Sequence, residues 1–395
     1  MSAIKEHDKK QIVGTYARFD LAIVSGKSAT CWDEEGKSYI DFTSGIGVNS
    51  LGYCDDEWVQ VVSAQAGRLQ HTSNLYYTAP CVELADRLCE ATGYDKVFFG
   101  NSGAEANEAA IKVARKYSFD KYGEGRNKIV CLRNSFHGRT VTTLSATGQD
   151  VFHNYFFPFT EGFVFAEAND LVDVVSKLDD SICAVMFECV QGEGGVIPLD
   201  EAFLQGLISL CEKKDILTIA DEVQTGVGRT GTFLASEQFG IKPDITTLAK
   251  GLGGGLPIGA VLCNEKTSGV LSYGDHGSTF GGNPVVCAGA NVCVNRIASE
   301  VFLEEVRRKS LMIKDALMGI REVESLNGLG LMVGIKLRTQ AAKEIAQKCL
   351  KSGLMVLTAK EKIRLLPPLN ITDDELLKGL EILRGILLEY EEPLL

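Results

Sequence analysis

Between residues 95 and 265 the chain alternates short apolar, β-branched runs with longer stretches in which apolar residues return every three or four positions. The runs are 97–99, 128–132, 162–165, 182–187, 216–220, 245–248 and 258–263, and the helical stretches include 104–117, 171–178 and 203–213. Strand, helix, strand at this rhythm predicts a mainly parallel sheet of seven strands covered on both faces by helices. In such a sheet the ligand site lies beyond the carboxyl ends of the strands.

The last hundred residues follow another pattern: helix 301–317, strand 329–337, helix 341–352, strands 354–357 and 363–366, and a final amphipathic helix. That helix opens with a capping box, Thr372 and Glu375, and carries Leu376, Leu380, Leu383 and Leu387 on one face. Near the start, 29–32 and 38–42 around Glu35-Gly36 predict a hairpin. The expected organisation is an α/β chain with a segment 1–50 packing with a smaller domain 291–395, and a large domain 51–290 between them.

Composition narrows the function classes. The chain has 395 residues, 45% hydrophobic and 23% charged, as in an ordinary globular protein. A net charge of −12 opposes binding to nucleic acid or an anionic membrane, though not a local basic pocket for a small anion. The uncharged stretch 276–295 holds Ser278, Thr279, Asn283 and Pro284 and does not read as a membrane helix, and the charged start, 1–11, leads into no apolar signal segment. None of the twelve cysteines forms a Cys-x-x-Cys pair, and most sit in apolar runs, so reduced thiols and a cytoplasmic location are expected, with no metal site.

Three features carry candidate chemistry. Lys250 follows an apolar strand and precedes Gly251, Gly253, Gly254 and Gly255. A partly desolvated amine at a strand end loses its proton readily and attacks carbonyls to form a Schiff base, whereas a lone Lys-Gly is more often a surface loop. Asp221 closes the run 216–220, which carries a carboxylate toward the interior; it suits a cationic ring nitrogen, or equally a helix cap. The segment 100–105, Gly-Asn-Ser-Gly-Ala-Glu, ends a strand and opens a helix, so its free N–H groups and the Ser102 hydroxyl suit a phosphate, although the same string also makes a common turn. It matches neither a Walker loop nor a Gly-x-Gly-x-x-Gly fingerprint.

With these residues assembled, the chain resembles a class III pyridoxal-phosphate aminotransferase of fold type I. The resemblance runs from about residue 16 to 368 and is carried by 71–76, 101–107, 135–140 (Ser-Phe-His-Gly-Arg-Thr), 191–195 (Gln-Gly-Glu-Gly-Gly), 221–224 (Asp-Glu-Val-Gln), 249–251, 276–284 and 364–368. It implies that Lys250 forms the Schiff base with pyridoxal 5'-phosphate, that Asp221 pairs the ring nitrogen, and that Gln224 bonds the phenolic oxygen. It further implies that Phe136 and Val223 cover the two ring faces, and that Ser102, Gly103 and Ala104 hold the phosphate. Thr279 would reach the phosphate from a second subunit of a homodimer.

The same resemblance implies substrate contacts. Arg364 would take the α-carboxylate of glutamate or 2-oxoglutarate and Arg139 the distal one, while Arg139 and Tyr16 would take the α-carboxylate of an N2-acetylornithine donor. Ser278 falls in the substrate set through its motif. Glu193 would act as a gate, neutralising Arg364 when the donor brings no carboxylate to it. Taken alone, either arginine reads as a structural ion pair and Glu193 as a loop carboxylate. The implied reaction converts N2-acetylornithine and 2-oxoglutarate to N-acetylglutamate 5-semialdehyde and glutamate, in arginine biosynthesis. Ornithine, succinylornithine, 4-aminobutyrate and N-succinyl-diaminopimelate are alternative donors, and an aminomutase or a non-catalytic binding protein are alternatives of other classes. The chain departs from the family pattern at 52–55 and at Cys189.

Overall fold

The computed structural model describes residues 3–390, so Met1, Ser2 and the last five positions of the expected 291–395 segment lie outside the described residues. Seven strands form the central sheet in the order Lys96–Gly100, Gly259–Cys263, Ile245–Leu248, Leu217–Asp221, Ile182–Phe187, Lys128–Leu132, Phe163–Ala166. Every predicted run of the region thus becomes a strand of one sheet. Only Gly259–Cys263 runs antiparallel to its neighbours, while the remaining contacts are parallel. The middle strands are buried along their whole length, which is why their sequences are continuously apolar rather than alternating.

Helix Gly103–Tyr122 lies on this sheet through Ala106, Ala109, Ala110, Val113 and Ala114. Small side chains let the helix approach closely, and among its buried residues Asn107 and Ser118 are polar, Asn107 standing within the alanine face. The register pairs Asp221 with Thr247. Both strands therefore end at the same edge of the sheet, above the start of that helix.

The amino-terminal hairpin forms from Thr30–Asp33 and Ser38–Asp41, extended by an exposed strand, Ile23–Lys27, that the pattern did not announce. Its far edge pairs in parallel with Leu354–Met355. Glu375 ties the ends of the chain further: besides completing its capping box with Thr372, its carboxylate accepts from the Ser28 hydroxyl at 2.9 Å, the Ala29 N–H at 3.1 Å and the Thr30 hydroxyl at 2.9 Å. Helix Asp373–Leu388 buries all four leucines of its predicted face, each contributing roughly 2 kcal/mol of apolar burial.

Two expectations need correction. The stretch 329–337 is not one strand: a turn at Gly330, with φ of 54°, joins Val323–Leu329 to Met332–Leu337 as a hairpin. Strand 354–357 divides into Leu354–Met355, in the amino-terminal sheet, and Leu357–Ala359, which pairs with Lys362–Leu365. Helix Pro284–Ile297 runs across position 290 and packs in the same apolar cluster as residues from both sides of it. Among the described residues, no single helix is long and apolar enough to cross a membrane.

Candidate active site

A cavity of about 450 Å³ opens at the carboxyl edge of the central sheet, and Lys250 lines it together with Asp221, Val223, Gln224, Phe136, Arg139 and the turn Ser102, Gly103, Ala104. Strand Ile245–Leu248 delivers the lysine, and the backbone then turns sharply: Ala249 is extended and Lys250 sits at φ of 42°, a left-handed conformation that costs a non-glycine residue energy and clusters at functional sites. Burial pushes its ammonium below the ordinary lysine range; Glu193 opposes that shift, Arg364 adds to it, and Asp221 opposes it. An amine so placed is a better nucleophile and proton acceptor than a surface lysine.

Asp221 is 4% exposed and fully engaged. Its Oδ2 accepts from Asn107 Nδ2 at 2.8 Å and lies 2.8 Å from His137 Nδ1; its Oδ1 accepts from the Val223 N–H at 3.1 Å. Asn107 also donates to the His137 carbonyl at 2.7 Å, and its own oxygen accepts from Thr247 at 2.7 Å. This set holds one carboxylate at a fixed angle in a dry environment, where it stabilises a cation strongly. His137 is buried and its Nε2 has no partner among the described residues. Sequence reasoning singled out neither His137 nor Asn107 for a role; a polar residue on the alanine face of a sheet-packed helix was the signal for Asn107.

Glu188 is the third residue missed. Its two oxygens accept from the Phe136 N–H at 2.9 Å and the Gly192 N–H at 3.2 Å, so one carboxylate braces both the aromatic wall and the turn that carries Glu193. Burial raises its carboxyl to about 7; His137 opposes and Asp221 reinforces that rise. Glu222, next to Asp221, points the other way and accepts from the Ala235 and Ser236 N–H groups at 2.6 and 2.9 Å, which closes the turn behind the site.

Ser102 caps helix Gly103–Tyr122 by accepting from the Glu105 N–H at 3.2 Å. The first N–H groups of a helix have no partner within it, so those of Gly103 and Ala104 face the cavity as anion donors. A Cβ at Gly103 would lie 2.6 Å from Val223, and one at Gly259 only 2.2 Å from the Ser102 carbonyl, so both positions require glycine for the turn to sit where it does.

Arg364 and Glu193 do not line this cavity but connect to it through Gln224: Arg364 is 3% exposed and its Nη1 donates to Glu193 Oε1 at 2.5 Å and to Gln224 Oε1 at 3.3 Å. Burial pushes the Glu193 carboxyl up, but Arg364 outweighs it and the group ends below the ordinary glutamate range. The Arg364 Nε is buried without a partner among the described residues. Arg139 is exposed at the mouth, 4.3 Å from the Phe152 ring centroid and 5.5 Å from that of Phe136.

Not every expected residue meets in this cavity. Tyr16 is exposed on the amino-terminal segment, beside Arg18. Thr279 is exposed and lines a separate small pocket with His71 and Asn74. Ser278 stands one contact away, its hydroxyl accepting from Asn101 Nδ2 at 3.0 Å, and Asn101 does line the cavity.

The donor set fits one kind of group: an anionic end on the helix start, a flat ring between Phe136 and Val223 with a protonated nitrogen on Asp221, and an electrophilic carbon within reach of the Lys250 amine. The comparisons with known proteins agree. Residues 14–387 match the family model Aminotransferase class-III. The chain is 53% identical over 388 residues to the acetylornithine aminotransferase of Haemophilus ducreyi, covering 98% of both chains. To that of Methanocaldococcus jannaschii it is 43% identical over 380 residues, 93% of this chain and 94% of that one. The structure of Toxoplasma gondii ornithine aminotransferase, whose active site holds partially occupied PLP, superposes with a TM-score of 0.92 at 31% identity, covering 98% of this chain and 94% of that one. N-acetylornithine aminotransferase from Stenotrophomonas maltophilia gives 0.84 at 36%, with 95% and 97% covered. By family model, sequence identity and fold alike, the chain belongs to the class III aminotransferases.

Proposed function

We propose that the protein transfers the terminal amino group of N2-acetylornithine to 2-oxoglutarate, using pyridoxal 5'-phosphate. The observation that carries this reading is the Glu193–Arg364 ion pair, linked through Gln224 to the cavity that Lys250 and Asp221 line. A transaminase alternating between a donor that presents a distant amine and one that presents an α-amino acid needs a cation that is available to only one of them. Identity of 53% over nearly the whole chain to an acetylornithine aminotransferase supports the same donor.

When bound, the cofactor supplies an electron sink for the negative charge left on the substrate carbon as its proton departs. Ser102 and the N–H groups of Gly103 and Ala104 hold its phosphate, Gln224 takes its phenolic oxygen, and Phe136 and Val223 fix the ring plane. Asp221, oriented by Asn107 and His137, holds the proton on the ring nitrogen. Lys250 anchors the cofactor, then as a free amine accepts the proton from the amine-bearing carbon of the substrate and returns it one atom away. In the donor half-reaction Glu193 keeps Arg364 neutralised, and the acetylornithine carboxylate goes to Arg139, with Tyr16. In the glutamate half-reaction Glu193 withdraws and Arg364 binds the α-carboxylate in a fork, with Arg139 on the distal one. Ser278 contributes through Asn101 at the cavity wall.

A homodimer belongs to the reading, with Thr279 completing the partner's phosphate site. Exposed aromatics support it: Tyr76, Tyr77, Tyr273 and Phe280 lie bare around the loops that carry Thr279, an arrangement that favours burial against a second copy. The division at 50 and 290 and a cytoplasmic location in arginine biosynthesis complete the proposal. The test is a kinetic panel of acetylornithine, ornithine, succinylornithine, 4-aminobutyrate and N-succinyl-diaminopimelate, each with 2-oxoglutarate. A preference for any donor other than acetylornithine would replace the substrate assignment, and turnover without 2-oxoglutarate would point to a mutase.

A further inference from the structure

The turn that follows Gln224 contains a buried cation that the reaction above does not use. Arg229 is 2% exposed, and among the described residues no carboxylate hydrogen-bonds to it. Its Nη1 donates to the carbonyls of Leu331 at 3.0 Å and Pro367 at 2.5 Å, and its Nη2 to the Ser44 hydroxyl at 3.4 Å. Ser44 in turn donates to the Leu366 carbonyl at 2.6 Å. The contact with Leu331 is reciprocal, because the Leu331 N–H donates to the Arg229 carbonyl at 2.9 Å. Gly330 presses against the backbone of Arg229 and Thr230 so closely that a Cβ there would lie 2.4 Å from it.

Burying a guanidinium on neutral acceptors is costly, and an apolar side chain of similar volume would fill the space at lower free energy. Burial accordingly pushes Arg229 down to about 9, with Asp41 the opposing charge. What the guanidinium does that an apolar side chain cannot is bind three stretches of chain at once with planar, directional donors. Those stretches are the tip of the hairpin Val323–Leu329/Met332–Leu337, the exit of strand Lys362–Leu365, which carries Arg364, and the turn at Ser44, all tied to the arginine's own turn after Gln224. Pro367 is three residues beyond Arg364, and Gly334 of the clamped hairpin pairs directly with Arg364 in the sheet.

We propose that Arg229 is a positioning residue that sets where the Arg364 guanidinium stands when Glu193 is not holding it. The need is specific to one half of the cycle. In the closed arrangement Arg364 is fixed by Glu193 and Gln224, but its Nε has no partner. Once Glu193 withdraws, the hydrogen bond to Gln224 is the one side-chain restraint left among those observed, and the strand backbone must supply the rest. Arg229 ties that backbone to the turn bearing Gln224, so the spacing between the carboxylate fork and the rest of the site is set by one residue. The inference rests on the reading of Arg364 as the α-carboxylate site.

The test uses Arg229→Lys, which keeps a positive charge but not the planar fork, and Ser44→Ala, which removes one arm of the network and keeps the arginine. Both are compared with Arg364→Ala in the cofactor-loaded enzyme. Arg229→Lys is expected to raise KM for glutamate and 2-oxoglutarate ~10-fold or more while KM for acetylornithine stays within about twofold, since misplacement by a fraction of an ångström is felt by a bidentate contact. Ser44→Ala is expected to move the same constants in the same direction by a smaller factor. Glutarate affinity measured by calorimetry, which needs no turnover, is expected to fall in parallel. Equal losses for both amino donors, or unchanged glutarate binding in both variants, would overturn the role of Arg229. If instead Arg364→Ala fails to separate the two donors, the reading of Arg364 falls, and the role of Arg229 falls with it.

Discussion

The two ends of the site are built on opposite principles. At the Asp221 end one carboxylate is held by three groups, Asn107, His137 and the Val223 N–H, and Thr247 fixes Asn107 in turn. At the Arg364 end the groups are held by each other. Glu193 pairs Arg364, Gln224 touches both, and the guanidinium retains an unused donor. The first end has one state and suits chemistry common to both half-reactions. The second has an alternative state within reach, because breaking a single ion pair frees a cation. A fixed set of contacts around Asp221 and a breakable pair joined to Gln224 thus stand apart within one site.

Mutations at the fixed end are expected to damage both half-reactions alike. Lys250→Ala removes both the anchor and the proton carrier and is expected to lower turnover by ~10⁴-fold or more with either donor. Borohydride treatment of the wild type is expected to leave the cofactor on a peptide containing Lys250; labelling of another lysine would refute the assignment. Asp221→Asn keeps the shape but not the charge, and both half-reactions are expected to lose ~3 kcal/mol or more of electrostatic stabilisation, visible in single-turnover rates. Loss of thermal stability with rates intact would mean that Asp221 is only structural.

The exchangeable end is expected to break asymmetrically. Arg364→Ala takes away a buried charged contact and is expected to cost glutamate roughly 2 kcal/mol or more, with little effect on acetylornithine. Glu193→Ala leaves the guanidinium permanently available, so the glutamate half-reaction is expected to hold or quicken while the acetylornithine half-reaction slows as its carboxylate is drawn to the wrong arginine. Equal losses for the two donors in either variant would show that no exchange takes place.

The smallest effect is expected where the two ends meet. Glu188 has a folded-state value of about 7, above the ordinary glutamate range. In the interval between those values the unfolded chain gives up this proton and the folded one keeps it, so stability falls as pH rises toward neutrality. Glu188→Gln is expected to remove that slope from the melting temperature. It is also expected to remove an inflection near neutrality from the rate profile, since an amide does not titrate there. A wild-type profile without such an inflection would separate Glu188 from the chemistry.

How far these features could be read beforehand depended on whether packing left a pattern. The buried parallel strands announced themselves as unbroken apolar runs, and three of them, Lys128–Leu132, Ile182–Phe187 and Ile245–Leu248, matched residue for residue. The hairpin at Gly330 did not. Its tip is buried against Arg229 and Thr230, so Leu329-Gly330-Leu331 carries none of the polar residues by which a turn is normally recognised. Likewise 354–357 reads as one apolar strand although Val356 is where the chain leaves one sheet for another. In the site, Lys250, Asp221 and the turn 102–104 were legible because each stands at a change from strand to loop or loop to helix. Asn107, His137 and Glu188 sit inside or beside regular elements and act through groups far away in sequence. Their roles appear only when the strands are brought side by side.

The contact between Gly103 and Val223 works as a spacer of zero thickness. One residue opens the helix Gly103–Tyr122, the other borders the cavity, and nothing larger than a hydrogen atom fits between them. Neither wall can be moved outward by enlarging its own side chain without displacing the other. Any side chain placed at 103 would therefore require a smaller residue at 223, and a library that varies position 103 alone would sample only distorted cavities.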